Sequence, residues 1–155
     1  MILCLIIMAL TIIADQATKL LTLEFLTDAP MKLIPEVLHL TYVENKGAAF
    51  GMLADHRWVF IVISTVAIAA LVVYLFIKKP KDKLLCVSLA LIAGGGIGNM
   101  IDRIFRGFVV DMIDVTCINF YVFNVADSAV CIGCGLLILY MILDEIRTKR
   151  EKADA

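Results

Sequence analysis

The chain alternates between long apolar stretches and shorter polar ones, and four of the apolar stretches are long enough to cross a membrane. They cover about residues 2–25, 58–77, 84–101 and 123–143. A transmembrane helix needs about 20 predominantly apolar residues. The pattern therefore predicts an all-α membrane bundle of four transmembrane helices, formed by one domain that spans residues 1–155.

A weaker pattern of period two lies between the first two spans. Residues 38–43 alternate apolar and polar side chains, which is typical of a half-buried strand, and Pro30 and Pro35 indicate turns before it. Gly47 and Gly51 follow, and glycine lets a backbone approach a ligand or a helix closely. We expect a small sheet here that lies on the membrane with its apolar face down.

Lysine and arginine positions predict the orientation of the bundle. The short connection at residues 78–83 carries four lysines, and the tail after Leu143 adds more basic residues. By the positive-inside rule, this connection and both termini face the cytoplasm. The two longer connections, at about residues 26–57 and 102–122, then lie together on the opposite side.

Composition excludes several classes of protein. Apolar residues make up 62% of the chain, against about 45–50% in a soluble domain. The net charge is −1 and no large basic block is present, so nucleic acid is not an expected partner. Four of the five cysteines fall inside predicted spans, where we expect them to pack as small apolar thiols: Cys4, Cys86, Cys131 and Cys134.

Polar residues gather where the spans meet the predicted extracytoplasmic side. Asp15 and Lys19 are four apart and share one helix face, so they can pair with each other or brace an active site. The third span leaves the membrane where the fourth enters it. We therefore expect one common depth for the polar groups near these ends: Asn99, Asp102, Arg103, Asn124 and Asp127.

Paired carboxylates are the chemistry that these residues favour. Two neighbouring carboxyl groups share a proton, so the ionised one can activate water while the protonated one acts as an acid. Asp127 is the first candidate, and Asp102 and Asp111 compete to be its partner. The apolar neighbours of Asp111 favour it, whereas Asp102 next to Arg103 suits an ionised structural role, and Asp114 is expected to be solvated.

No cofactor or metal ligand set is recognisable in the sequence. It lacks the zinc, nucleophilic-serine, P-loop and dinucleotide motifs, and His39 and His56 have no companion at ligand spacing. Two other functions remain open at this point. A proton-coupled carrier would need acidic groups near the bilayer centre, and a non-enzymatic membrane partner would need no acid pair.

Five short segments resemble, in order, those of the bacterial lipoprotein signal peptidases (signal peptidase II), a family of four-span aspartic peptidases. Any one of them is a weak signal, but five in order in a chain of this size are highly specific. The segments are DQATK at 15–19, NKGAAFG at 45–51, GNMIDR at 98–103, VVDMI at 109–113 and FNVADS at 123–128.

The resemblance implies that Asp111 and Asp127 are the catalytic dyad of a membrane aspartic endopeptidase without a cofactor. The substrate would be a prolipoprotein cleaved just before a cysteine that already carries diacylglycerol. The implied setting is a monomer in the bacterial inner membrane, in contact with lipid, with a small β-cradle near residues 28–50 and a short periplasmic helix within 104–122. Supporting or substrate-binding roles are implied for residues of the matching segments: Asp15, Asn45, Gly47, Asn99, Asp102, Arg103, Asn124 and Ala126.

Overall fold

The computed structural model of the protein describes residues 1–47, 57–118 and 120–153. Four helices, α1 to α4, are long and apolar enough to cross a membrane, which confirms the predicted bundle. A small sheet of three strands, β1 to β3, accompanies them. In chain order the elements are α1 (Ile2–Phe25), β1 (Met31–Ile34), β2 (Leu38–Asn45), α2 (Arg57–Lys78), α3 (Lys83–Phe105), β3 (Val109–Asp114), a single 3₁₀ turn (Thr116–Ile118) and α4 (Val125–Ala153).

The predicted spans locate the helices well but misplace some of their ends. α1 coincides with its predicted span, whereas α3 continues to Phe105 and α4 begins at Val125 and continues to Ala153. The last ten residues of α4 are mostly polar and all exposed, and Lys149 pairs with Glu145 one turn earlier, at 2.7 Å. Hydropathy reports the part of a helix inside the membrane, so it could not predict this polar continuation.

Helix α3 lies at the centre of the bundle. Of its most apolar stretch 56% is buried, against at most 22% for the other three helices. Glycines on different sides of α3 let its neighbours come close, as small residues commonly do where membrane helices pack together. Gly94 and Gly98 face α1, Gly95 faces Ala126 of α4, and Gly96 faces Ile68 of α2.

The sheet is antiparallel in the order β1-β2-β3 and lies at one end of the bundle. We call this the sheet end: α1 and α3 finish there and α4 begins there. Val109–Asp114 forms β3 and pairs with β2, with Val43 opposite Asp111 and Glu44 opposite Val110. The apolar segment around Asp111 is thus a strand of this sheet.

A short helix is expected after α3, within residues 104–122, and the structure has a 3₁₀ helix of one turn there, Thr116–Ile118. The expectation for two of the cysteines needs correction. Cys4 and Cys86 are not free thiols: packing of α1 on α3 brings their Cα atoms to 5.7 Å, within the range that a disulfide requires, and the structure joins them. Their disulfide lies within a buried apolar cluster with Leu75, Leu85 and Leu89, away from the sheet end.

Candidate active site

Asp111 lies on β3 at the sheet end, and its side chain is nearly inaccessible. Two amide groups donate to its carboxylate. Asn124 Nδ2 donates to Oδ1 at 2.6 Å, and Asn45 Nδ2 donates to Oδ2 at 3.0 Å. Both donors are neutral amides, and they hold the carboxylate of Asp111 in place.

Asp127 occupies the first turn of α4, where it takes part in a reciprocal cap with Asn124. The backbone N–H of Asp127 donates to Asn124 Oδ1 at 2.9 Å, and the backbone N–H of Asn124 donates to Asp127 Oδ2 at 3.2 Å. This is the capping-box arrangement with Asn and Asp in place of the usual residues. The spacing Asn-x-x-Asp was visible in the sequence, and it would have predicted this cap.

Asn124 contacts both Asp111 and Asp127. Its side chain donates to Asp111, while its backbone and side chain fix Asp127. Asn124 is fully buried, and its Nδ2 also donates to Asn99 Oδ1 at 3.1 Å. Asn99 Nδ2 donates in turn to Asp127 Oδ1 at 2.7 Å. The two carboxylates and two amides therefore form one connected network.

The pKa of Asp111 is raised from its ordinary value of 3.8 to about 6. Burial is the main cause, since it penalises the charged form, and the negative charge of Asp127 raises the pKa further. The hydrogen bonds from Asn45 and Asn124 act in the opposite direction. Asp111 is thus a carboxyl group that can carry a proton close to neutral pH.

Asp102, the competing partner from the sequence, lies in a separate cluster. It is fully buried and pairs with Lys19, at 3.0 Å, and with Arg106. The backbone N–H of Val110 also donates to its Oδ2 at 3.0 Å. Asp102 is thus paired with two cations, as a structural role requires, and Arg106, four residues later, is one of them.

The predicted pair of Asp15 and Lys19 is present, with Lys19 Nζ 2.9 Å from Asp15 Oδ2. Asp15 Oδ1 accepts the backbone N–H of Ala126 at 2.9 Å, so a carboxylate of α1 caps the N-terminal end of α4. Gly98 permits this contact, because a Cβ there would lie only 2.5 Å from Asp15 Oδ2.

Other predicted residues lie near Asp111 and Asp127 or hold their neighbours. The backbone N–H of Gly47 donates to Asn45 Oδ1 at 3.0 Å, which turns Asn45 Nδ2 toward Asp111. Arg103 donates to the backbone oxygen of Asn99 at 3.4 Å and lies within electrostatic range of Asp111 and Asp127. The remainder of the NKGAAFG segment, residues 48–51, and His56 lie outside the described residues.

Sequence reasoning did not select two residues that the structure places in this region, Gln16 and Arg106. It considered Lys19 only together with Asp15, as an ion pair or a brace for an active site, although Lys19 is fully buried. Gln16 donates to Asp15, to Asp102 and to the Gly98 carbonyl oxygen, and its own oxygen accepts from Arg106.

Over residues 1–47, 57–118 and 120–153, no three His, Cys, Asp or Glu side chains are grouped so that they could hold a metal ion.

Comparison with known proteins decides the family. The family model described as signal peptidase (SPase) II matches residues 7–143. The chain belongs to the signal peptidase II family. Members of this family are aspartic peptidases, so the protein is a multi-pass membrane aspartic endopeptidase that removes the signal peptides of lipoproteins.

Relatives named lipoprotein signal peptidase cover nearly the whole chain. The protein of Halalkalibacterium halodurans is 46% identical over 150 residues, which is 94% of this chain and 96% of the relative. The protein of Halothermothrix orenii is 45% identical over 137 residues, 88% of this chain and 92% of the relative.

Solved structures resemble the chain equally clearly. A bacterial membrane enzyme determined by the in meso method at 2.3 Å resolution has a TM-score of 0.83 and 32% identity, covering 92% of this chain and 88% of that one. A second bacterial membrane enzyme, determined by the same method at 1.9 Å resolution, has a TM-score of 0.81 and 32% identity, covering 89% of this chain and 91% of that one. This signal peptidase II therefore shares both sequence and fold with its relatives.

Proposed function

We propose that Asp111 and Asp127 are the catalytic dyad with which this peptidase cleaves diacylglyceryl-modified prolipoproteins. The scissile bond is the one just before the lipidated lipobox cysteine. The observation that carries the proposal is the network around Asn124, which links both carboxylates at the sheet end through the amides of Asn99 and Asn124.

The dyad works by sharing one proton. The ionised carboxylate takes a proton from water, and this water attacks the scissile carbonyl carbon. The protonated carboxyl donates to the carbonyl oxygen and stabilises the tetrahedral intermediate. A pKa of about 6 for Asp111 is suited to such sharing, and the two groups titrate as a pair.

Three amide side chains act as the orienting groups of the dyad. Asn45 and Asn124 hold Asp111, and Asn99 and Asn124 hold Asp127. Gly47 supports Asn45, and the contact of Asp15 with the Ala126 backbone fixes the start of α4. Asp102 and Arg103 complete the setting as charged supports rather than reacting groups.

The position of the site fits a lipidated substrate. A diacylglyceryl anchor keeps the cysteine, and thus the bond before it, near the membrane surface. The site lies at the ends of three spanning helices, which is the depth at which such a bond would be presented. A substrate that lacks the lipid would place this bond in water, away from the site.

The proposed setting is the bacterial cytoplasmic (inner) membrane. The sheet end faces the extracytoplasmic (periplasmic) side, and both termini face the cytoplasm, because the lysine-rich connection between α2 and α3 lies at the opposite end. We propose that the enzyme acts as a monomer surrounded by lipid. It needs no cofactor and does not bind nucleic acid.

A cleavage assay with purified enzyme tests both the residues and the substrate. Wild-type enzyme should cut a diacylglyceryl prolipoprotein just before the cysteine, as read by mass spectrometry, and should leave the unmodified precursor intact. Asp111→Asn and Asp127→Asn should each lose about 10³-fold or more in kcat, since each carboxyl acts directly in the chemical step.

Asp114→Asn is the matched control for this assay. Asp114 ends the same strand as Asp111, three residues later, so its side chain points to the other face of the sheet. We expect this variant to cleave at close to the wild-type rate. Substantial activity in Asp111→Asn or Asp127→Asn, or a cut at another bond, would refute the proposal.

A further inference from the structure

Lys19 is a fully buried cation whose third contact is not an ion pair. Its Nζ lies 2.9 Å from Asp15 Oδ2 and 3.0 Å from Asp102 Oδ2. It also donates to Asn99 Oδ1 at 2.8 Å. An ammonium group has three hydrogens, so these contacts account for all of them.

The contact with Asn99 determines which way the amide of this residue points. A terminal amide can present either its oxygen or its nitrogen to a neighbour. Lys19 offers only donors, and Asn124 Nδ2 also donates at 3.1 Å, so the oxygen of Asn99 must face these two groups. The Nδ2 of Asn99 is then left to donate to Asp127 Oδ1, at 2.7 Å.

We propose that Lys19 is a positioning residue of the dyad, which fixes the amide of Asn99 so that its N–H end holds Asp127. This inference rests on the proposed function, because it gives Lys19 a role in serving the dyad although Lys19 does not touch the reacting groups. Lys19 acts through Asn99: its charge polarises the amide and makes Asn99 Nδ2 a stronger donor toward Asp127.

The charges around Lys19 explain why a cation can remain there. Asp15 and Asp102 contribute two negative charges, and Lys19 and Arg106 two positive ones, so the buried cluster is neutral. A lone buried charge would be costly, whereas this paired one is compensated. The same balance means that Lys19→Met alone leaves one negative charge uncompensated and lowers stability for reasons unrelated to Asn99.

A double substitution separates positioning from charge balance. Asp15→Asn combined with Lys19→Met leaves Asp102 and Arg106 as a neutral pair, and the oxygen of the new amide can still accept the Ala126 N–H. Should Lys19 serve only to neutralise the cluster, this double variant will recover wild-type kcat along with its stability. If Lys19 positions Asn99, the double variant will recover stability, but its kcat will stay on the order of 10- to 100-fold below wild type, because Asn99 is no longer fixed.

The pH profile supplies a second readout that does not depend on how much protein is folded. Charged groups face Asp111 from three elements: Asp127 from α4, Lys19 from α1 and Arg103 from α3, while β2 contributes the neutral Asn45. The positive charge of Lys19 lowers the pKa of Asp111. Its removal in Lys19→Met should therefore move the kcat profile to higher pH, and the double variant, which also loses the negative charge of Asp15, should show a smaller shift in the same direction.

The decisive experiment measures kcat, thermal stability and the pH profile for wild type, Lys19→Met and the double variant, with Asp111→Asn in the same assay. Recovered stability with a low kcat and an alkaline shift supports the positioning role. A double variant with wild-type kcat, or one whose activity loss matches its unfolded fraction with no shift in profile, overturns it. An active Asp111→Asn would instead overturn the proposed dyad itself.

Discussion

Asp102 and Asp111 are both buried aspartates, but their neighbours give them opposite properties. Asp102 contacts two cations, Lys19 and Arg106, which stabilise its negative charge. Asp111 accepts hydrogen bonds from the amides of Asn45 and Asn124, and these compensate for burial less completely than a cation does. Burial therefore raises the pKa of Asp111 to about 6.

Removing the charge of Asp127 should lower the pKa of Asp111. Burial is the larger cause of the shift and remains in Asp127→Asn, so the pKa should fall below about 6 but stay above 3.8. Infrared difference spectra of the protonated carboxyl band, recorded against pH on enzyme with labelled aspartate, would follow it. An unchanged pKa would mean that the two carboxylates do not interact.

The depth of these residues could be predicted from the sequence, but their contacts could not. Counting spans places Asn99, Asn124 and Asp127 near one surface. The contact of Asn45 with Asp111 joins residues 66 positions apart, and no local pattern indicates it. The choice between Asp102 and Asp111 likewise needed the position of Lys19, which is 0% exposed and reaches Asp102 from another helix.

At the scale of the elements, α3 owes its central place to glycines that lack a side chain where neighbours are closest. A Cβ at Gly95 would collide with the backbone oxygen of Ala126, at the start of α4. A backbone atom cannot move aside as a flexible side chain can. The approach of α4 to α3, and with it the position of Asp127, therefore depends on this glycine.

Gly95→Ala should destabilise the protein by about 1–3 kcal/mol, the usual cost of overpacking, and should lower activity by displacing α4. Gly135→Ala is its control, because a Cβ at Gly135 meets nothing within 4 Å. Thermal unfolding in detergent, followed by circular dichroism, would compare them. Equal stability of the two variants would contradict the packing described for α3.

Elements differ in how far local sequence determines them. The four helices follow from long apolar runs, which need no partner to be recognised. β3 does not, because Val109, Val110, Met112 and Ile113 surround a single aspartate and do not alternate. This segment becomes a strand only through pairing with β2, where Glu44 lies opposite Val110, 66 positions away, and Val43 lies opposite Asp111, 68 positions away.

At the scale of the whole molecule, residues from five elements meet at the sheet end. α1 supplies Lys19, β2 supplies Asn45, α3 supplies Asn99, β3 supplies Asp111 and α4 supplies Asp127. No single element contains the site, so its assembly depends on correct packing of the bundle. The side of the membrane on which it works is fixed by the orientation of the bundle.

Reporter fusions test the predicted orientation. Green fluorescent protein fused after residue 155 should fluoresce, and alkaline phosphatase at the same place should be inactive, because the positive-inside rule puts this end in the cytoplasm. Phosphatase inserted after residue 36, between β1 and β2, should be active. The reversed result would contradict the orientation.

The Cys4–Cys86 disulfide is an argument for the opposite orientation, since cytoplasmic disulfides are rare and this one lies at the end of the bundle assigned to the cytoplasm. The four lysines at residues 78–83 outweigh this argument.

The central claim is that Asp111 and Asp127 act as one unit, and a comparison of single and double variants tests it most directly. Single-turnover rates on a diacylglyceryl prolipoprotein should be reduced equally in Asp111→Asn, in Asp127→Asn and in the double variant, because groups that act together are lost together. The account would be contradicted if the two effects were independent, so that the rate of the double variant fell by the product of the two single effects. It would also be contradicted if either single variant kept wild-type activity.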